Sequence, residues 1–125
     1  MTRRPLTAEE KRQSRIKLTR ELIRAKRLSG LLNNTKWFEI FEWISNSRIG
    51  FEIKLLSGTE SRHCDFIREL ENTSILVDNT GDFIEFLEIE SLRFKSSKEA
   101  AEYLDSLRVE YVDEDDDLII MGYRV

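Results

Sequence analysis

The chain has 125 residues, of which 40% are hydrophobic and 35% are charged, with a net charge of −4 and one cysteine. Residues 1–36 hold eleven Lys or Arg and three Glu, a net charge of +8, so the remaining residues together carry −12. These numbers predict a single globular domain over residues 1–125. They exclude a disordered chain, a disulfide scaffold and a membrane protein, because no apolar run approaches the roughly 18 residues of a spanning helix.

The first predicted element is a helix over residues 8–32. Thr7 and Glu10 have the spacing of a capping box, in which two side chains satisfy free backbone N–H groups of the first turn. Because residues 8–15 contain almost no apolar side chains, the basic segment 1–15 could project from the body or fray.

Two faces of this helix carry apolar residues. One arc of a helical wheel holds Leu18, Leu22, Ala25, Leu28 and Leu32, so we expect this face to pack on the body. Ile16 and Ile23 fall nearly opposite and could pair two subunits. A monomer and a homodimer are therefore both compatible with the sequence.

The second predicted helix, which extends to Ile44, contains both tryptophans of the chain. Asn34 or Thr35 is expected to be its N-cap, because a short side-chain oxygen accepts a hydrogen bond from the first turn. Helical spacing places four large apolar side chains on one face: Trp37, Ile40, Phe41 and Ile44. So wide an apolar face predicts burial against a sheet.

Strands are predicted in the middle of the chain. Residues 49–55 alternate between apolar and polar side chains, which is typical of a half-buried strand. Residues 60–71 fit either a short helix or a strand at 61–67 that pairs back on the preceding one. Residues 74–77 and the start of segment 83–94 form a predicted hairpin. Within 83–94 the alternation of apolar and polar side chains changes phase, which indicates a bulge or break.

A third helix is predicted from the capping-box spacing of Ser96 and Glu99. Strands at 109–112 and 118–123 follow, and the last one is apolar on both faces, which predicts a place in the interior of a sheet. The predicted fold is α+β in the order α-α-β-β-β-β-α-β-β, with a mostly antiparallel sheet and helices packed on one face.

Two short motifs suggest a relationship to other proteins: Asn33-Asn34-Thr35-Lys36-Trp37 and the final Gly122-Tyr123-Arg124. Through these motifs the chain resembles a family of uncharacterised small bacterial proteins. In that family a basic helix leads into a similar Asn-Asn-Thr-Lys-Trp element, and the chain ends in a Gly-Tyr pair. The resemblance implies a bacterial, cytoplasmic origin and no assigned activity.

Five consecutive acidic residues separate the last two predicted strands: Asp113, Glu114, Asp115, Asp116 and Asp117. Their oxygens would suit calcium or magnesium. However, an EF-hand loop would need glycine where Leu118 stands and glutamate where Arg124 stands, so we expect no metal and no cofactor. The simplest interpretation is a solvated loop that protects the strands from edge pairing. The functional interpretation is a docking patch for a basic partner.

Two further groups could carry function. The basic first helix, with Arg20, Arg24 and Arg27 among charges spread round the wheel, could lie against an acidic protein body or follow the phosphates of a nucleic acid. His63 and Cys64 are reactive residue types, but neighbouring residues of a strand point to opposite faces and cannot form a nucleophile–base pair unaided.

Our leading hypothesis is a non-catalytic acidic interaction module that resembles, in general character, the immunity proteins that inhibit basic nuclease toxins. The first alternative is a nucleic-acid-associated protein that binds phosphates through the basic helix. The second is an enzyme with an unrecognised site near His63 and Cys64. A cytoplasmic location is expected, because the N-terminus lacks the apolar block of a signal peptide and one cysteine suits a reducing compartment.

Overall fold

The computed structural model describes residue 5, residues 7–71 and residues 73–125. Its helices are α1 (Ala8–Ala25), α2 (Asn34–Ser47) and α3 (Lys98–Ser106). Its strands are β1 (Ser29–Gly30), β2 (Phe51–Leu55), β3 (Ser61–Cys64), β4 (Ile67–Glu71), β5 (Ile75–Asp78), β6 (Phe83–Glu85), β7 (Ile89–Lys95), β8 (Val112–Glu114), β9 (Asp117–Met121) and β10 (Tyr123–Arg124). A 3₁₀ turn, Phe86–Glu88, connects β6 to β7.

These strands form antiparallel sheets, and the α+β class predicted from the sequence is confirmed. The central sheet has five strands in the order β3-β2-β7-β9-β8, so β9 lies in the interior as its apolar character predicted. Strands β4, β5 and β6 form a second sheet, and β1 pairs with β10 in a two-stranded ribbon. The single sheet that we predicted is therefore divided, and β1, β4 and β10 were not predicted as separate strands.

The core lies where α2 packs against the central sheet. The four side chains predicted for its inner face are all buried: Trp37, Ile40, Phe41 and Ile44. The Phe41 ring contacts Phe51 of β2 and Phe86 of the 3₁₀ turn, with centroids 5.9 and 5.4 Å away. The N-cap of α2 is Asn33, whereas Asn34 or Thr35 was predicted.

Helix α3 packs beside α2 and extends the same core. Ala100 and Leu104 are buried. The Tyr103 ring stacks on Trp43 at a centroid distance of 5.5 Å, and its hydroxyl donates a hydrogen bond to the Glu39 carbonyl at 3.2 Å. The helix begins one residue later than expected, because Ser97 rather than Ser96 caps it.

The turn after each of the three helices contains an arginine with left-handed backbone geometry: Arg27 (φ 51°) after α1, Arg48 (φ 55°) after α2 and Arg108 (φ 57°) after α3. Glycine is the residue that usually adopts this conformation. A positive side chain beside the negative end of a helix is favourable and offsets part of the strain. Helix α1 ends at Ala25 instead of residue 32, because the chain turns at Arg27 and then pairs as β1.

Helix α1 packs through a different face from the one we predicted. Ile16 and Thr19 are buried, whereas Leu18 is 42% exposed and Ala25 is exposed. The predicted packing face is therefore wrong for Leu18 and Ala25, whereas Leu22 is half-buried. Ile16 is turned towards the body, so it does not offer a surface for pairing subunits.

The inner face of α1 also carries two arginines that fix the helix to the 3₁₀ turn and to β6. The Arg15 Nε donates a hydrogen bond to the fully buried Glu88 carboxylate at 3.0 Å, and its Nη2 donates to the Phe83 carbonyl at 2.6 Å. Arg12 lies 3.8 Å from the Glu85 carboxylate. Residues 8–15 are thus helical and in contact with the body rather than projecting, while residues 1–4 and 6 lie outside the described part.

Replacing Arg15 with methionine should lower the free energy of unfolding by about 1–3 kcal/mol. Methionine keeps much of the apolar stem, but the buried Glu88 carboxylate loses its cation. Urea denaturation measures the change, and Lys17→Met on the exposed side of α1 is the matched control. A loss for Arg15→Met no larger than that for Lys17→Met would show that this ion pair does not anchor the helix.

Candidate functional site

The acidic run forms the tip of the β8–β9 hairpin. Asp113 and Glu114 belong to the edge strand β8, which begins later than the predicted strand 109–112. Asp115 and Asp116 form the turn, with φ angles of 51° and 66°. Two consecutive positive φ angles are characteristic of the type I′ turns that connect tight hairpins, and aspartate tolerates them well. The run is therefore an ordered hairpin end and not an irregular loop.

Hydrogen bonds hold this hairpin in place. The Ser96 backbone N–H donates to the Asp116 carbonyl at 2.8 Å, and its hydroxyl donates to the Asp113 carboxylate at 3.4 Å. The Arg93 Nε donates to the Asp117 carboxylate at 2.7 Å, and this hydrogen bond raises the pKa of Arg93. Asp117 is thus engaged within the sheet, whereas the four residues 113–116 are exposed.

A further carboxylate from α3 adds to the hairpin. Partial desolvation raises the pKa of Tyr111, and so do a hydrogen bond with Asp105 and the negative charges of Asp105 and Asp113. The tyrosine therefore lies close to both carboxylates. We call the exposed set Asp105, Asp113, Glu114, Asp115 and Asp116 the acidic surface.

The basic side chains of α1 fall into two sets. Arg12 and Arg15 face the body, as described above, so part of the basic helix does meet acidic groups of its own chain. Lys17, Arg20 and Arg24 are exposed. They lie within roughly 60° of one another on a helical wheel. The charges are therefore not spread evenly round the helix, and the outward set forms a stripe.

The predicted site residue Arg27 lies just beyond this stripe. It is exposed in the turn after α1. Within the described part of the chain, no carboxylate forms an ion pair with Arg20, Arg24 or Arg27. The three arginines predicted as a site are thus available to an external anion.

His63 and Cys64 do not form a reactive pair. Cys64 is fully buried in the core, and burial raises the pKa of its thiol to about 11. His63 is exposed on the opposite face of β3, with its Nε2 3.0 Å from the Asp65 carboxylate. A nucleophilic cysteine needs an accessible thiolate beside a base, and this arrangement provides neither.

The Cys64 thiol should react with a disulfide reagent such as DTNB at least about 100-fold more slowly in the folded protein than in urea at pH 8. Burial blocks access, and a thiol with a pKa near 11 is almost entirely protonated at that pH. Stopped-flow absorbance gives both rates. Fast labelling with an unchanged circular dichroism spectrum would contradict the buried position.

An apolar groove of about 340 Å³, which was not predicted, adjoins the acidic surface, because Tyr111 and Val112 line it. Leu31 and Leu32 form one wall of this groove, and Ile119 and Met121 of β9 form another. The basic side chains of Lys36, Arg108 and Arg124 line the same groove. No local sequence signal points to it, because residues from three separate segments converge there.

The described chain is an α+β protein with an ordered acidic hairpin and, beside it, a groove with apolar walls and three basic side chains. No helix in the described residues is long and apolar enough to cross a membrane. The chain belongs to a family of unknown function (DUF6678), whose model matches residues 19–125. This match agrees with the resemblance to an uncharacterised family, and it includes Arg20 and Arg24 but not Arg12 and Arg15. Searches of curated proteins and of solved structures returned no match.

Proposed function

We propose that the protein is a non-catalytic interaction module that docks a basic protein partner on its acidic surface. The observation that carries this proposal is the exposure of four consecutive carboxylates on a hairpin that Ser96 holds in place. A preordered surface loses less conformational entropy on binding than a flexible loop does. Its negative charge also accelerates the approach of a positively charged partner.

The surroundings of the hairpin suit a protein partner. Val112 of the edge strand β8 is 54% exposed and lies on the same face of the strand as Glu114. An apolar contact next to a charged rim is the usual composition of a protein interface. Inhibition of a basic toxin in a bacterial cytoplasm, in the manner of an immunity protein, would use such a surface.

The test compares two variants of equal charge. The hairpin variant neutralises the acidic tip: Asp113→Asn, Glu114→Gln, Asp115→Asn and Asp116→Asn. Asparagine is also suited to the turn, so the hairpin is expected to keep its conformation. The control variant neutralises four exposed carboxylates elsewhere: Glu42→Gln, Glu60→Gln, Glu69→Gln and Glu102→Gln.

The wild-type chain is used to capture binding proteins from an extract of its own cells, and each one is purified for surface plasmon resonance. We expect the hairpin variant to bind at least tenfold more weakly and the control variant to bind within about twofold of wild type. We also expect the association rate of the wild type to fall as salt is added. Equal losses in both variants, or association that is insensitive to salt, would contradict the proposal.

Binding of nucleic acid through α1 is a second candidate function. The outward stripe of Lys17, Arg20 and Arg24 supports it, since aligned basic side chains on a helix can follow a phosphate backbone. Gel-shift titrations with duplexes of unrelated sequence provide the test. Arg20→Ala with Arg24→Ala should weaken binding to every duplex alike, and wild-type affinity should fall steeply with salt. A flat salt response would eliminate this function.

A further inference from the structure

The groove beside β9 is held open by backbone contacts that do not depend on a ligand. The Leu31 N–H donates a hydrogen bond to the Gly122 carbonyl at 2.9 Å, which fixes one wall against the C-terminal segment. On the other side, the Val109 N–H donates to the Leu104 carbonyl at 3.0 Å, and Val109 itself is buried. The segment that carries Arg108 is therefore anchored to α3. The volume of about 340 Å³ lies in the range of small-molecule sites, roughly 300–1,000 Å³.

The lining of this groove combines apolar walls with an excess of positive charge. Lys36, Arg108 and Arg124 contribute three cations, against one carboxylate from Glu110. Within the residues that the structure describes, none of the three cations has a carboxylate at ion-pair distance. Met121, which lines the groove, is 40% exposed, so this apolar surface is open to a ligand.

We propose that this groove binds small organic anions with a hydrocarbon body, of which medium-chain monocarboxylates are the simplest case. The hydrocarbon body would cover the leucine and methionine side chains, and each buried methylene contributes about 0.8 kcal/mol. The anionic head would meet the guanidinium groups of Arg108 and Arg124, which bind carboxylates in a bidentate manner. A polyanion fits less well, because Glu110 would repel additional negative charge.

The experiment is a calorimetric titration of the full chain with octanoate below its micelle-forming concentration, together with octanol and acetate. Octanoate should bind at least tenfold more tightly than octanol, which lacks the charge, and than acetate, which lacks the body. In the variant Arg108→Gln with Arg124→Gln, octanoate affinity should fall about tenfold, whereas octanol binding should stay the same. The exposed pair Arg20→Gln with Arg24→Gln has the same change in charge and should bind octanoate as wild type does.

Three results would overturn this proposal. Octanol could bind as tightly as octanoate, which would remove the role of the basic side chains. The groove variant and the α1 variant could lose the same affinity, which would mean that only the overall charge matters. A concentration-dependent dimer that Met121→Glu dissociates, detected by sedimentation velocity, would assign the groove to a second copy of the chain.

Discussion

Replacing Phe41 with alanine should lower the free energy of unfolding by about 3–5 kcal/mol, a large share of the total for a domain of this size. The side chain is fully buried, and its ring contacts Trp37, Phe51 and Phe86 with centroid distances of 5.7, 5.9 and 5.4 Å. These partners belong to α2, β2 and the 3₁₀ turn. Because they lie on three elements, they cannot close around the vacated space without separating from one another.

Urea denaturation monitored by tryptophan fluorescence and by circular dichroism measures this loss. Phe66→Ala is the matched control, since Phe66 is 56% exposed and its removal should cost less than about 1 kcal/mol. A small cost for Phe41→Ala, close to that of the control, would mean that α2 is not the centre of the core. The polar surfaces are treated as functional because the aromatic cluster is needed to pack the core. The same result would remove that reason.

The sequence predicted this core well because its signal is local. Large apolar side chains such as Trp37 and Phe41 recur at helical spacing, and no other arrangement buries them together. The alternating residues of β2 and the capping box at Thr7 are equally local, and the Glu10 N–H does donate to the Thr7 hydroxyl at 3.1 Å. The strand predicted at 109–112 is the exception, since β8 covers Val112–Glu114 and shares only Val112 with it.

The inner face of α1 could not be predicted in this way. Arg15 is inside because Glu88, 73 residues later, is buried and needs a cation. On a helical wheel an arginine is normally placed on the solvent side, so the pattern favours Leu18 for the core instead. Pairing between distant charges leaves no periodic trace in either segment.

The acidic surface and the groove also differ in whether their sequence signal is local. The acidic hairpin could be identified from five adjacent acidic residues. Its division between strand and turn could not be predicted, because an exposed edge strand carries polar residues like those of a loop. The groove has no such signal. Leu31, Arg108 and Met121 come from distant segments, and only the fold brings them to one cavity.

Substituting Gly122 with alanine should cost about 3–5 kcal/mol, although the change adds a single methyl group. A Cβ at this position would overlap the Ile89 carbonyl oxygen and approach the Trp37 ring to 3.3 Å. The Gly122 N–H donates to the Glu90 carbonyl at 2.8 Å, and its own carbonyl accepts from the Leu31 N–H at 2.9 Å. Any shift that relieves the overlap with the backbone therefore lengthens two hydrogen bonds.

Gly30→Ala is the matched control, because a Cβ there meets only the Tyr123 ring, at 3.9 Å. Its cost should be less than about 1 kcal/mol in the same urea experiment. The contrast also bears on the two motifs that suggested the family. The Trp37 ring lies only 3.3 Å from the point that a Cβ of residue 122 would occupy, so the motifs need no shared ligand to explain why both are present. If Gly122→Ala were as stable as Gly30→Ala, this packing would not require glycine.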